Sequence, residues 1–164
     1  MEGGKMGDSR ISKDEYFLSM AKLVSRRSTC ARRKVGCVLV NYKNHVLATG
    51  YNGVAASEIH CIEKPCPGAK YKTGKGLDKC EAIHAEQNAI LQCRNVGSII
   101  AAYVTTAPCV TCTKLLMNTG CKRIIFIEDY KASGKKLFKG EWKQYESINN
   151  VFTQIIMEST KRLT

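Results

Sequence analysis

Apolar and polar positions along this chain change period several times, and each change marks an element. The first twelve residues are rich in glycine and polar groups, show no periodicity, and read as a flexible tail over 1–12. From Lys13 the apolar residues Tyr16, Phe17, Met20, Leu23 and Val24 recur at helical spacing, which predicts an amphipathic helix to about Arg27 with Ser12 as its cap. Two short β-type runs follow, Lys34 to Val40 and His45 to Tyr51, around the hairpin signal Asn41-Tyr42-Lys43-Asn44. Val54 to Lys79 then lacks sustained periodicity and contains Pro65, Pro67, Gly68, Gly74 and Gly76, so it reads as a long loop. A loop of that length needs a reason.

Helical spacing resumes in a segment predicted to begin near Cys80 to Ile83 and end at about Cys93, with His84 and Glu86 in its first turns. Ile99 to Thr106 reads as a strand. Pro108 suits the first turn of the next helix, Cys109 to about Asn118, which Gly120 closes. Arg123 to Ile127 is another apolar strand, with Glu128-Asp129-Tyr130 at its exit. Beyond it, Leu137, Trp142, Tyr145 and Ile148 read as part of a helix, and Val151 to Met157 as a last strand or more helix, with the strand preferred. The order α-β-β-α-β-α-β-α-β predicts an α/β fold: a three-layer α/β/α unit around a mixed five-stranded sheet, forming a single domain over 13–164. A chain of 164 residues has room for one such core and not for two ordinary ones.

Composition narrows the setting. No apolar run is long enough to span a membrane and the first residues lack a secretory pattern, so the expected location is the cytoplasm, the host's if the source is viral. Nine cysteines, an odd number in a chain without an export signal, suit reduced thiols and metal better than disulfides. The net charge of +12 is uneven. Between Glu15 and Glu58 lie Lys22, Arg26, Arg27, Arg32, Arg33, Lys34 and Lys43 with no acidic residue, and Lys131, Lys135, Lys136, Lys139 and Lys143 follow the last apolar strand. Such a surface is a solvated cationic face, a nucleotide phosphate site or a polynucleotide site, and charge alone does not choose.

The chemistry sits in two short stretches, His84-Ala85-Glu86 and Pro108-Cys109-Val110-Thr111-Cys112. One imidazole and two thiolates fill three corners of the tetrahedron zinc prefers and leave the fourth open, as a catalytic site requires. Glu86, two residues from His84, stands near the metal without being needed as a ligand, so it is placed to carry protons. This H-x-E…P-C-x-x-C arrangement is the signature of zinc nucleobase deaminases. Four further thiols, Cys30, Cys61, Cys66 and Cys80, gather around the long loop; a closed structural zinc site there, with His60 able to replace one ligand, would explain what holds it. Cys37, Cys93 and Cys121 read as ordinary buried thiols.

The stretch from about Lys13 to Tyr130 resembles the deoxycytidylate (dCMP) deaminases of bacteria and viruses, within the cytidine deaminase-like superfamily. The resemblance lies in Arg27-Ser28-Thr29-Cys30, Val35-Gly36, Gly50-Tyr51-Asn52-Gly53, His60-Cys61, Ile83 to Ile90, Tyr103-Val104-Thr105, Pro108 to Cys112, Gly120 and Glu128-Asp129-Tyr130. It implies a zinc enzyme that converts dCMP to dUMP and ammonia, with dCTP a further candidate substrate. It also implies a homohexamer activated by dCTP with magnesium and inhibited by dTTP, and a structural zinc near the long loop. Asn52 would contact the nucleotide, the backbone near Thr106 and Ala107 would recognise the pyrimidine, and Asn88 and Tyr130 are further pocket candidates. Two rivals remain: a deaminase acting within a polynucleotide, and a non-catalytic zinc-stabilised module that binds nucleic acid. Aromatics make up only 7% of the chain and form no stripe among the basic residues, which argues against a nucleic-acid partner.

Overall fold

The computed structural model describes residues 10–72 and 75–146. Helix α1 (Lys13–Ser25) opens at Ser12, whose hydroxyl accepts from the Glu15 N–H as the cap the sequence predicts. The buried stripe is Phe17, Leu18, Ala21 and Ser25, while Tyr16 and Leu23 are exposed. Strands β1 (Gly36–Val40) and β2 (Val46–Tyr51) form the expected hairpin, with Asn44 at φ 62° in the turn. The segment from Val54 into the short 3-10 turn at Leu77–Lys79 is the long loop. Helix α2 (Ala85–Gln92), strand β3 (Ala101–Thr106), helix α3 (Val110–Met117) and strand β4 (Arg123–Glu128) complete the expected framework.

The five strands lie in the order β2-β1-β3-β4-β5. The β1–β2 and β1–β3 pairs are antiparallel, while β3–β4 and β4–β5 are parallel, so the sheet is mixed. The buried apolar strand residues divide between two cores. Val38, Val40, Ala101, Tyr103 and Ile125 meet Phe17, Leu18 and Ala21 of α1 on one face. Cys37, Leu39, Ala102, Val104, Ile124 and Phe126 meet Ala85 and Ala89 of α2 and Leu116 of α3 on the other. Successive side chains point to opposite faces, and both faces are covered, which is why β1, β3 and β4 read as unbroken apolar runs. Backbone closeness sets the seating of α1 and α2 on the sheet at Gly36 and Gly50. A Cβ on Gly36 would lie 2.1 Å from the Ala21 carbonyl, and one on Gly50 would lie 2.3 Å from both the Ala85 carbonyl oxygen and the Ala89 nitrogen.

Two expectations need correction. Strand β5 (Glu141–Gln144) stands where a helix is predicted. Trp142 turns into the core against Phe126 and Phe138, and Tyr145 packs on the opposite core, a division that a strand makes and a helix with the same i, i+3 spacing does not. The strand expected over Val151 to Met157 lies outside the described residues. Helices α2 and α3 each begin later than expected: His84 and Cys109 are their N-caps, and Pro108 precedes the cap instead of occupying the first turn.

Candidate metal centre and cleft

The two caps meet at one end of the sheet because the chain entering each helix is pinned. Gly53 and Ile83 exchange backbone hydrogen bonds of 3.1 and 2.8 Å, fastening the approach to α2 onto the exit of β2. Gly134 donates to the Pro108 carbonyl at 3.0 Å, fastening the loop after β4 onto the approach to α3. The His84 N–H donates to Gln87 Oε1 at 2.8 Å, so its backbone is capped while its imidazole stays available.

His84 Nδ1 lies 3.5 Å from Cys109 Sγ and 3.3 Å from Cys112 Sγ. A tetrahedral zinc with ordinary bonds of about 2.3 Å to sulfur and about 2.05 Å to nitrogen needs those atoms about 3.6 Å apart. The donor set therefore fits. Among the described residues, three metal-ligating groups gather this closely only here, all within 4.8 Å of one another. The thiols and imidazole titrate together. The Cys112 thiol and the His84 imidazole bring Cys109 down to about 4, Cys112 is pushed far up by Cys109, and His84 is raised by its bond to Cys109. A dication held by these three residues would take the place of those shared protons. Glu86, in the first turn of α2, is 4% exposed, and burial raises its pKa, so it keeps its proton to higher pH than a solvated glutamate.

A cleft opens above the cluster, lined by His84, Glu86 and Cys109 at the metal centre and by Asn52, Thr106, Ala107 and Tyr130 around them. Asn52 is tightly held. Its Oδ1 accepts from the Val35 N–H at 2.8 Å and the Ser28 hydroxyl at 2.7 Å, while its Nδ2 donates to the Arg33 carbonyl at 2.8 Å. Because the backbone N–H can only donate, the amide orientation is settled, and one hydrogen of the Asn52 amide remains beyond the bond to Arg33. The Ala107 N–H is engaged by the Glu128 carbonyl at 2.8 Å. Asn88 is a correction to the expected pocket: its Nδ2 donates to the Tyr51 carbonyl at 2.8 Å and ties α2 to β2 instead of lining the cleft.

The second set of thiols is arranged differently. Cys61 Sγ and Cys66 Sγ are 3.7 Å apart, and Cys30, Cys61 and Cys66 are buried. Burial pushes Cys66 up, but the N–H groups of Glu81, Gly68 and Ala69 and the Cys61 thiol turn toward its sulfur and the net shift is downward. Cys30 and Cys80 also line the cleft. His60 is paired with Glu63 at 3.5 Å. Cys37, Cys93 and Cys121 are buried, as expected of ordinary core thiols. Arg32 and Arg33 are cleft residues that sequence reasoning placed only within a basic stretch; their position just after Cys30 was the available signal.

Residues 11–128 match the profile of the cytidine and deoxycytidylate deaminase zinc-binding region. The chain belongs to that family. Among its relatives, the deoxycytidylate deaminase of Schizosaccharomyces pombe is 42% identical over 74% of this chain but only 38% of its own length. The deoxycytidylate deaminase of Mycobacterium phage D29 is 39% identical over 72% of this chain and 96% of its own length. The chain thus spans about two fifths of the yeast relative it matches and nearly all of the phage one. Among solved structures, the apo dCMP deaminase of cyanophage S-TIM5 superposes with a TM-score of 0.62 at 25% identity, covering 80% of this chain and 96% of that one. The deaminase fold and the zinc-type donor set therefore agree. No helix among the described residues is long and apolar enough to cross a membrane.

Proposed function

We propose that this chain hydrolyses dCMP to dUMP and ammonia in the cytoplasm. The observation that carries the reading is a His84, Cys109 and Cys112 donor set with a buried Glu86 beside it, at the floor of a cleft whose lining includes arginine. Relatives bearing the deoxycytidylate deaminase name support the choice of substrate. Zinc held by His84, Cys109 and Cys112 would supply a Lewis acid able to make water nucleophilic near neutral pH. Glu86 does the proton work: its raised pKa suits a group that takes a proton from water, gives it to the pyrimidine ring nitrogen and assists departure of the exocyclic amine as ammonia. Asn52 orients the sugar with its remaining amide hydrogen, and Thr106, Ala107 and Tyr130 bound the ring.

The same reading includes finer assignments. A second, structural zinc is held by Cys30, Cys61, Cys66 and Cys80, supported by the close Cys61–Cys66 pair and by the backbone N–H groups directed at Cys66, which favour a thiolate. A homohexamer is supported by the exposed apolar residues Leu91 of α2 and Val110, Leu115 and Met117 of α3. Turnover of dCTP, activation by dCTP with magnesium and inhibition by dTTP rest on kinship alone.

The test is ammonia release from cytidine, dCMP, dCTP and single-stranded DNA, each with and without added dCTP or dTTP. Strong preference for dCMP is expected. Equal turnover of unphosphorylated cytidine would overturn the nucleotide assignment, and turnover of DNA alone would move the chain to the polynucleotide enzymes.

A further inference from the structure

We infer that Arg33 reads the 5′-phosphate of the substrate and that Glu128 holds its place until substrate arrives; the inference rests on the nucleotide reading above. Among the described residues lining the cleft, the lysines and arginines are Arg32 and Arg33. They are adjacent in sequence but differently employed. Arg32 Nη1 donates to the Gly68 carbonyl at 3.0 Å, and its Nη2 donates to the carbonyls of Lys72 at 2.9 Å and Lys75 at 3.1 Å. Its fork thus fastens the long loop and faces acceptors that no ligand needs to displace.

Arg33 has a different kind of partner. Its Nη2 lies 3.0 Å from Glu128 Oε2, a contact between side chains 34% and 60% exposed. Exposed pairs of this kind add little stability and exchange readily. Arg33 comes from the segment between α1 and β1, and Glu128 ends β4 two residues before the cleft residue Tyr130, so the pair ties the α1–β1 segment to the end of β4 beside the cleft. The Arg33 carbonyl accepts from Asn52 Nδ2 at 2.8 Å, which ties the backbone of Arg33 directly to the proposed sugar contact, and both residues line the cleft. A nucleoside monophosphate reaching from the metal centre past Asn52 would carry its phosphate toward this side chain. A phosphate monoester carries a charge of about −1.5 to −2 and presents three acceptor oxygens in the geometry a guanidinium fork matches, so it displaces a single carboxylate. On this account Glu128 keeps Arg33 aimed and competes weakly with phosphate.

Steady-state kinetics of wild type, Arg33→Gln, Arg33→Lys and Glu128→Gln with dCMP and with deoxycytidine test this. Arg33→Gln should lower kcat/KM for dCMP about 10- to 100-fold, mainly through KM, and lower that for deoxycytidine less than about threefold. Arg33→Lys should recover part of the dCMP preference. Inhibition of deoxycytidine turnover by inorganic phosphate should be present in wild type and weaker in Arg33→Gln. Glu128→Gln should lower the KM for dCMP. Retained dCMP preference in Arg33→Gln, or equal loss on both substrates, would overturn the assignment, and a raised KM in Glu128→Gln would overturn the place-holding role. A wild type that does not favour dCMP over deoxycytidine would instead sink the nucleotide reading itself.

Discussion

Two groups of sulfur donors lie around the same cleft, and only one is assembled. His84 and Cys109 cap helices whose approaches are fastened to the sheet, Cys112 sits in the first turn of α3, and their donor atoms already sit at separations a zinc ion requires. Cys61 and Cys66 ride on the long loop, Cys80 follows it, Cys30 comes from the connection between α1 and β1, and the four show one close sulfur pair. The difference is one of preorganisation. A cap on a pinned helix has its side-chain direction set by the fold, whereas a turn-based loop leaves the last adjustments to whatever it binds.

The most damaging way to break the contrast is to remove an assembled donor. His84→Ala or Cys112→Ala should lose one zinc equivalent by elemental analysis and reduce ammonia release from dCMP to background; retention of both would remove these residues from the centre. Next in size, Glu86→Gln should keep the metal and lose about 10²- to 10⁴-fold in kcat. A rate within a few fold of wild type would exclude Glu86 as proton carrier. On the unassembled side, Cys66→Ala should lose a different zinc equivalent and lower stability by roughly 2 kcal/mol, a Tm drop of about 4–8 °C, while the first equivalent stays bound. An unchanged metal count would leave the loop thiols as plain core residues.

The smallest effect belongs to the far end of the sheet, where Asp14 accepts from Tyr103 at 2.9 Å and Lys143 at 2.8 Å and faces Arg123 at 3.4 Å. Burial pushes its pKa up, but Lys143, Tyr103 and Arg123 outweigh it and the net shift is down. A depressed folded-state pKa contributes stability above the unfolded value of about 3.9, lost as pH falls through the lower folded value. Asp14→Asn should therefore cost less than about 1 kcal/mol near neutrality, flatten the acid limb of a Tm-against-pH curve, and leave both metal equivalents in place.

Much of this was legible in the chain, for physical reasons that also explain the failures. Strands β1, β3 and β4 announce themselves because both of their faces are buried, and the HAE and PCxxC stretches carry their spacing within single turns. The helix starts were misread because histidine and cysteine are not usual capping residues, so nothing local marked His84 and Cys109 as caps. Trp142 and Tyr145 fit either period, and only the two cores of a finished sheet decide between them. Arg33 and Glu128 are separated by 95 positions, a distance over which no pattern within one sequence reports contact.

Because α2 rests on the bare main chain of Gly50, with no side chain between, the height of His84 and Glu86 above the sheet is a backbone dimension. Elsewhere in that layer a substitution meets side chains, whereas at Gly50 it meets main chain. Enlarging this single contact, by contrast, would lift imidazole and carboxylate together, like raising the bed of a lathe under both tool and work.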